Sequence, residues 1–180
     1  KGTEEFNYFL SVLFPEEELR ILPYNRVVAD LNGESPADLL LALDQAFTIR
    51  DNGETVPTPG KKGEVGMYLD GHWYALCVRE ELREEDPVEG LDVSFLQNLV
   101  LAPLLGIEDP RTSERIRFIG GIRGSEELER LVDQKGGVAF LMYPTQMEEL
   151  LSVADAGLLM PPKSTWFEPK LRSGLFIHTL

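Results

Sequence analysis

The sequence holds one cysteine, two histidines and no run of eighteen apolar residues. Cys77 has no partner for an internal disulfide, so the fold must stand without a covalent staple, and a reducing cytoplasm is the default setting. The missing apolar run removes a membrane-spanning helix. His72, His178 and Cys77 are the only soft metal ligands, and the odd spacing of His72 and Cys77 puts them on opposite faces of one strand. Among metals, an oxygen-bound Mg²⁺ stays open. Cations are also scarce, with 17 Lys and Arg against 31 Asp and Glu and a net charge of −14. That balance repels polyanions and argues against nucleic acid or an anionic membrane as partner, though a local basic patch can still hold a small anion. The first residues carry neither an initiator methionine nor a basic-then-apolar leader. The expectation is one domain over residues 1–180, the C-terminal part of a longer cytoplasmic protein.

Apolar residues make up 43% of the chain and charged residues 27%, which is ordinary for a globular domain. Residues 6–14 read as a strand, followed by a turn at Pro15. Residues 19–28 read as a second strand that Pro23 makes an edge or irregular one. Ser35 and Pro36 open a helix whose apolar residues Leu39, Leu40, Leu43, Ala46 and Phe47 share one face. Residues 51–63 read as a mobile loop. Val65, Met67 and Leu69 alternate up to Asp70-Gly71, a dipeptide that tolerates the positive φ angles of a tight hairpin turn, and residues 73–78 return as the partner strand. Asp92 reads as the N-cap of a buried helix that ends near Pro103. Residues 116–119 are a strand and residues 120–124 a loop. Ser125 then caps a helix facing inward through Leu128, Leu131 and Val132. After a strand at 137–143, Thr145 and Glu148 make a capping box for a helix ended by Gly157. An extended piece at 175–179 closes the chain. The fold class these elements predict is α+β, a mixed, partly antiparallel sheet with about four helices packed on it.

Two segments draw attention as anion sites. Gly120, Gly121 and Arg123 lie between a strand and a helix, where free N–H groups and the helix dipole favour an anion and Arg123 adds a forked cation; the glycines equally suit a tight turn. Residues 163–172 hold Lys163, Lys170 and Arg172 against the single acid Glu168, with Ser164, Thr165 and two aromatics interleaved. This local +2 could grip a phosphate or a carboxylate, or could be an ordered loop that covers the core. Pro162 replaces the glycine that a P-loop would need. The acids Glu84, Glu85, Asp86 and Glu89 suit either a general base or a solvated loop, and Cys77 suits a small buried hydrophobe better than a nucleophile.

The segments 21–28 (ILPYNRVV), 66–71 (GMYLDG), 91–94 (LDVS), 106–110 (GIEDP) and 160–175 together resemble the C-terminal half of the bacterial and archaeal domain-of-unknown-function 1015 (DUF1015) proteins. The resemblance implies an N-terminal half, outside this sequence, related to the ParB and sulfiredoxin superfamily and carrying a Gly-His-His-Arg phosphate motif. It further implies a nucleotide-using small-molecule enzyme, most concretely a kinase of free serine, with ATP or ADP and Mg²⁺ as the candidate cofactor. The alternative is a nucleotide-gated, partition-type assembly module, with a homo-oligomer as one outcome. Arg26, Lys163, Ser164, Thr165, Lys170 and Arg172 stand where the family pattern has them. Asn25 stands where the pattern has histidine.

Overall fold

Nearly continuous buried runs at residues 25–28, 65–69 and 138–142 build the centre of the molecule. The computed structural model describes residues 2, 4–13, 15, 18–170, 172 and 174–178. Strands β1 (Arg20–Leu22) and β2 (Tyr24–Val28) precede helix α1 (Pro36–Leu43), then come β3 (Phe47–Gly53), β4 (Glu64–Leu69) and β5 (His72–Val78). Helix α2 (Asp92–Leu96), β6 (Ile116–Gly120), α3 (Gly124–Lys135), β7 (Val138–Met142), α4 (Met147–Asp155) and β8 (Trp166–Glu168) complete the order.

Six strands form one sheet in the order β3-β5-β4-β7-β2-β6, and β1 pairs with β8 in a two-stranded ribbon. Every ladder is antiparallel. The expected α+β class with four helices on a sheet therefore holds. The period-2 alternation of strands gives the sheet two apolar faces. Val28, Met67, Leu76 and Phe140 point to one face, where α1, α2 and α4 add Leu39, Leu43, Phe95, Leu96 and Val153. Val27, Tyr68, Trp73 and Ala139 point to the other, against Leu128, Leu131 and Val132 of α3. Tyr68 Oη donates to Asp133 Oδ1 at 2.9 Å and Trp73 Nε1 to Glu129 Oε1 at 2.7 Å, which satisfies both polar tips against α3.

Pro23 explains why residues 19–28 are two strands. Lacking an N–H, it breaks the ladder, so β1 leaves for β8 while β2 sits inside the sheet between β7 and β6. Asp70 and Gly71 both adopt positive φ, 51° and 80°, as the hairpin turn requires. Ser35 Oγ accepts from Asp38 N at 3.2 Å, the expected N-cap. Gly157 follows α4 at a φ of 68°, the expected terminator.

Several local expectations are corrected. Residues 5–7 form a 3-10 turn, and the described residues from 8 to 13 pair with no strand; Phe14 lies outside the described residues. Ala46 and Phe47 are not on α1, because Phe47 starts edge strand β3, which also takes in part of the expected loop 51–63. The N-cap of α2 is Leu91, not Asp92, whose carboxylate instead accepts from Gly63 N at 2.8 Å. A π turn at Gln97–Leu101 extends α2. Ser125 lies inside α3 and caps nothing, since a 3-10 turn at Gly121–Arg123 runs into that helix. Gln146 and Glu149, one position after the expected pair, form the box at α4, and Glu149 accepts from Gln146 N at 2.9 Å. Thr145 Oγ1 is instead drawn to Ser164 O at 3.1 Å. Residues 174–176 turn and bend, no strand forms among the described residues from 174 to 178, and Thr179 lies outside the described residues. No helix of the described residues is long and apolar enough to cross a membrane.

Candidate functional site

Strand β2 carries an arginine at a position that faces the core. Arg26 alternates with Tyr24 and Val28 toward the face holding α2, and its residue is 3% exposed. One Nη donates to Tyr24 O and the other to Lys163 O, the latter at 3.2 Å. Phe118, its cross-strand partner on β6, lies 5.5 Å from the guanidinium. No carboxylate among the described residues pairs with it. Burial pushes its pKa down to about 10, so the group remains a cation at neutral pH. A buried charge that meets only carbonyl oxygens and a ring face is costly, and a bound anion would relieve that cost.

Arg26 and Phe118 line a cleft of about 370 Å³, within the range that holds a small ligand. Val93, Ser94, Gln97 and Asn98 of α2 and its π turn make one wall, Glu108, Asp109, Pro110 and Arg111 a second, and Pro161 and Pro162 a third, with Glu89 at the opening. Glu89 accepts from Asn98 Nδ2 at 2.7 Å. The Arg111 guanidinium clasps Asp109 and holds that carboxyl below the usual carboxylate range. Four of the five segments that carry the family resemblance therefore reach one cleft: 21–28 through Arg26, 91–94 through Val93 and Ser94, 106–110 through its last three residues, and 160–175 through the two prolines.

The anion-site candidates gather at the same end of the sheet. Lys163 has a φ of 57°, and its Nζ lies 5.5 Å from the Tyr24 ring. Ser164 is buried and donates to Pro161 O at 2.6 Å. Thr165 is half-buried beside it. Lys170 Nζ sits 3.6 Å over the Trp166 ring, which in turn packs 5.1 Å from the Tyr24 ring. This is an ordered strap with a strand, β8, inside it. Gly120 and Gly121 have a steric reason. A Cβ at Gly120 would fall 2.2 Å from the Trp166 ring, and one at Gly121 2.8 Å from Pro23. The Gly121 N–H is already given to Pro23 O at 2.8 Å. Arg123 is exposed one short turn further on, within the field of Glu127, and Arg172 is exposed beyond Lys170.

The remaining candidates disperse. His72 is exposed, 3.5 Å from Asp51, and the half-buried Cys77 points to the opposite face. Asp86 Oδ1 accepts from Val88 N and Glu89 N, so it shapes a turn. No group of three His, Cys, Asp or Glu suited to a metal ion occurs among the described residues.

The fold has counterparts among known proteins. The chain belongs to the family described as "Protein of unknown function (DUF1015)", whose family model matches residues 1–94. Comparison with curated proteins gives no match. A mutant "free serine kinase" solved in complex with AMP shares the fold at a TM-score of 0.51 and 10% identity, over 84% of this chain and 55% of that one. The free serine kinase without a stated mutation, also with AMP, aligns over the same shares at a TM-score of 0.47 and 12% identity. The chain thus spans about half the length of these kinases.

Proposed function

We propose that this chain forms part of a cytoplasmic, nucleotide- or phosphate-dependent small-molecule enzyme, and that Arg26 anchors an anionic group in the cleft. The observation that carries the reading is a buried guanidinium, without a carboxylate partner among the described residues, at the floor of a cleft reached by the family-resembling segments. Lys163, Lys170, Arg172 and Arg123 would supply outer positive charge, Ser164 and Thr165 hydroxyls, Gly120 the flat seat under Trp166 and Gly121 the close approach to Pro23. The finer form is phosphorylation of free serine. The fold likeness to a serine kinase and the AMP in that structure favour it, while the identity of 10% leaves chemistry to be tested. In this form the cations offset charge on the transferred phosphoryl group, positioning supplies much of the rate, and the rest of a kinase-length protein supplies the other groups.

A thermal-shift series with ATP, ADP, inorganic phosphate, serine and phosphoserine, each with Mg²⁺, tests the reading. A ligand at a hundred times its dissociation constant should stabilise the chain by about 2.7 kcal/mol, and Arg26→Met should remove the response to phosphate and phosphoserine. Silence from every ligand, or an equal response of the variant to those two anions, overturns it.

A second reading, an assembly module, is favoured by one observation. Phe6, Phe9 and Leu13 near one end and Phe176 and Ile177 near the other are strongly exposed, and His178 joins the two segments by a 3.0 Å contact to Glu5 O. Light scattering at two salt concentrations decides it. A monomer at both salt concentrations removes that reading.

A further inference from the structure

Resting on the anion reading above, the charges around the cleft narrow the ligand further. The floor is cationic and buried, at Arg26. The opening is acidic and exposed, at Glu89 and Glu108. Of the other charged groups on the wall, Asp109 and Arg111 neutralise one another through a bidentate pair. Glu89 is bonded by the neutral amide of Asn98, and neither Glu89 nor Glu108 has a cationic partner among the described residues. The cleft is therefore dipolar, with uncompensated positive charge inside and uncompensated negative charge at the rim.

A polyanion such as a nucleotide would satisfy Arg26 with one phosphate and meet repulsion from Glu89 and Glu108 with the others. A bare anion would leave the rim unpaired. A small molecule with an anionic head and an ammonium group satisfies both ends. We propose that the cleft takes such a zwitterion, with its phosphate or carboxylate on Arg26 and its ammonium between Glu89 and Glu108, so that it is the amine-bearing substrate's subsite and not the nucleotide's.

The test uses two probes that differ by one ammonium group, O-phosphoethanolamine and ethyl phosphate, titrated calorimetrically into the chain. O-phosphoethanolamine binds about tenfold more tightly, the scale expected of two partly exposed charge contacts. Because the protein's overall negative charge also disfavours the more anionic probe, the double variant Glu89→Gln, Glu108→Gln is titrated alongside. Its two exposed, isosteric changes preserve the fold, and it binds both probes alike. A preference that survives in the variant overturns the proposal, as does equal binding of both probes to the unmodified chain. In the second case ethyl phosphate still binds and still depends on Arg26, so the anion reading stands while the zwitterion falls. If neither probe binds, both fall.

Discussion

Two buried charges in this molecule behave in opposite ways. Arg26 and Asp92 are 3% and 9% exposed, on β2 and at the start of α2. Burial pushes Asp92 up to about 6, helped by the Glu149 carboxylate and opposed by the Gly63 N–H and by Lys62 and Arg83. A carboxyl group can escape the penalty of burial by taking a proton, whereas a guanidinium cannot shed one near neutral pH. Asp92 is accordingly closed in, a tie between α2 and the segment that ends at Gly63. Arg26 opens on a cleft. Burial of charge alone does not mark a candidate binding site; burial with an approach for a counter-charge makes one.

The comparison can be broken on the Asp92 side first, where the largest effect is expected. The folded state holds the Asp92 proton more tightly than the unfolded chain does, so its contribution to stability falls as pH rises from about 4 to about 6 and stays low above that. A rise from 3.8 to about 6 corresponds to about 3 kcal/mol at neutral pH. Asn at position 92 keeps an acceptor for Gly63 and carries no charge. Urea denaturation should therefore show Asp92→Asn more stable than the parent at pH 7.5 and equal to it near pH 4. A difference independent of pH would contradict the assignment.

On the Arg26 side, Gly120→Ala should drive a methyl group into the Trp166 ring and cost about 1–3 kcal/mol, with a red shift of tryptophan emission as the β1–β8 ribbon lifts. Unchanged emission would mean that the ribbon does not depend on that seat. Lys163→Ala should weaken phosphate binding several-fold and leave stability nearly unchanged, since the backbone carbonyl that meets Arg26 survives the substitution. An exposed pair provides the scale. Asp30 and Arg115, bridged by two hydrogen bonds with side chains 52% and 33% exposed, should lose less than about 1 kcal/mol on Asp30→Asn, and less still at high salt.

Much of the scaffold was legible because local signals and tertiary packing agree there. The β4–β5 hairpin announces itself through alternation and Asp70-Gly71, and α1 through Ser35-Pro36. Edge strand β3 was hidden because its outer residues Arg50, Asp51 and Asn52 are polar and its pairing with β5 is a long-range matter. The capping box at α4 was displaced by one residue because Thr145 and Gln146 both have a glutamate three positions on, and a tertiary bond to Ser164 claims Thr145. In the site, the 163–172 cations were visible as a local excess of positive charge and Arg26 through the family resemblance, but their convergence was not. The signal that Arg26 lies buried was present in Tyr-Asn-Arg-Val-Val, a cation in an apolar strand, yet the irregular role expected from Pro23 pointed to an edge. Glu89 stood among the acids the sequence offers as a general base, but its place on a rim with Glu108 was unreadable, because the two join the Arg26 cleft only once α2 packs across the sheet.

The most direct test of the central claim is the side-chain N–H resonance of Arg26 during a titration with inorganic phosphate. The account predicts that the Arg26 Nε–Hε signal moves saturably and with the same dissociation constant as a calorimetric titration with inorganic phosphate. Movement confined to Lys163, Lys170 and Arg172, with Arg26 stationary, would place the anion on the outer strap and contradict the claim that the buried guanidinium is its anchor.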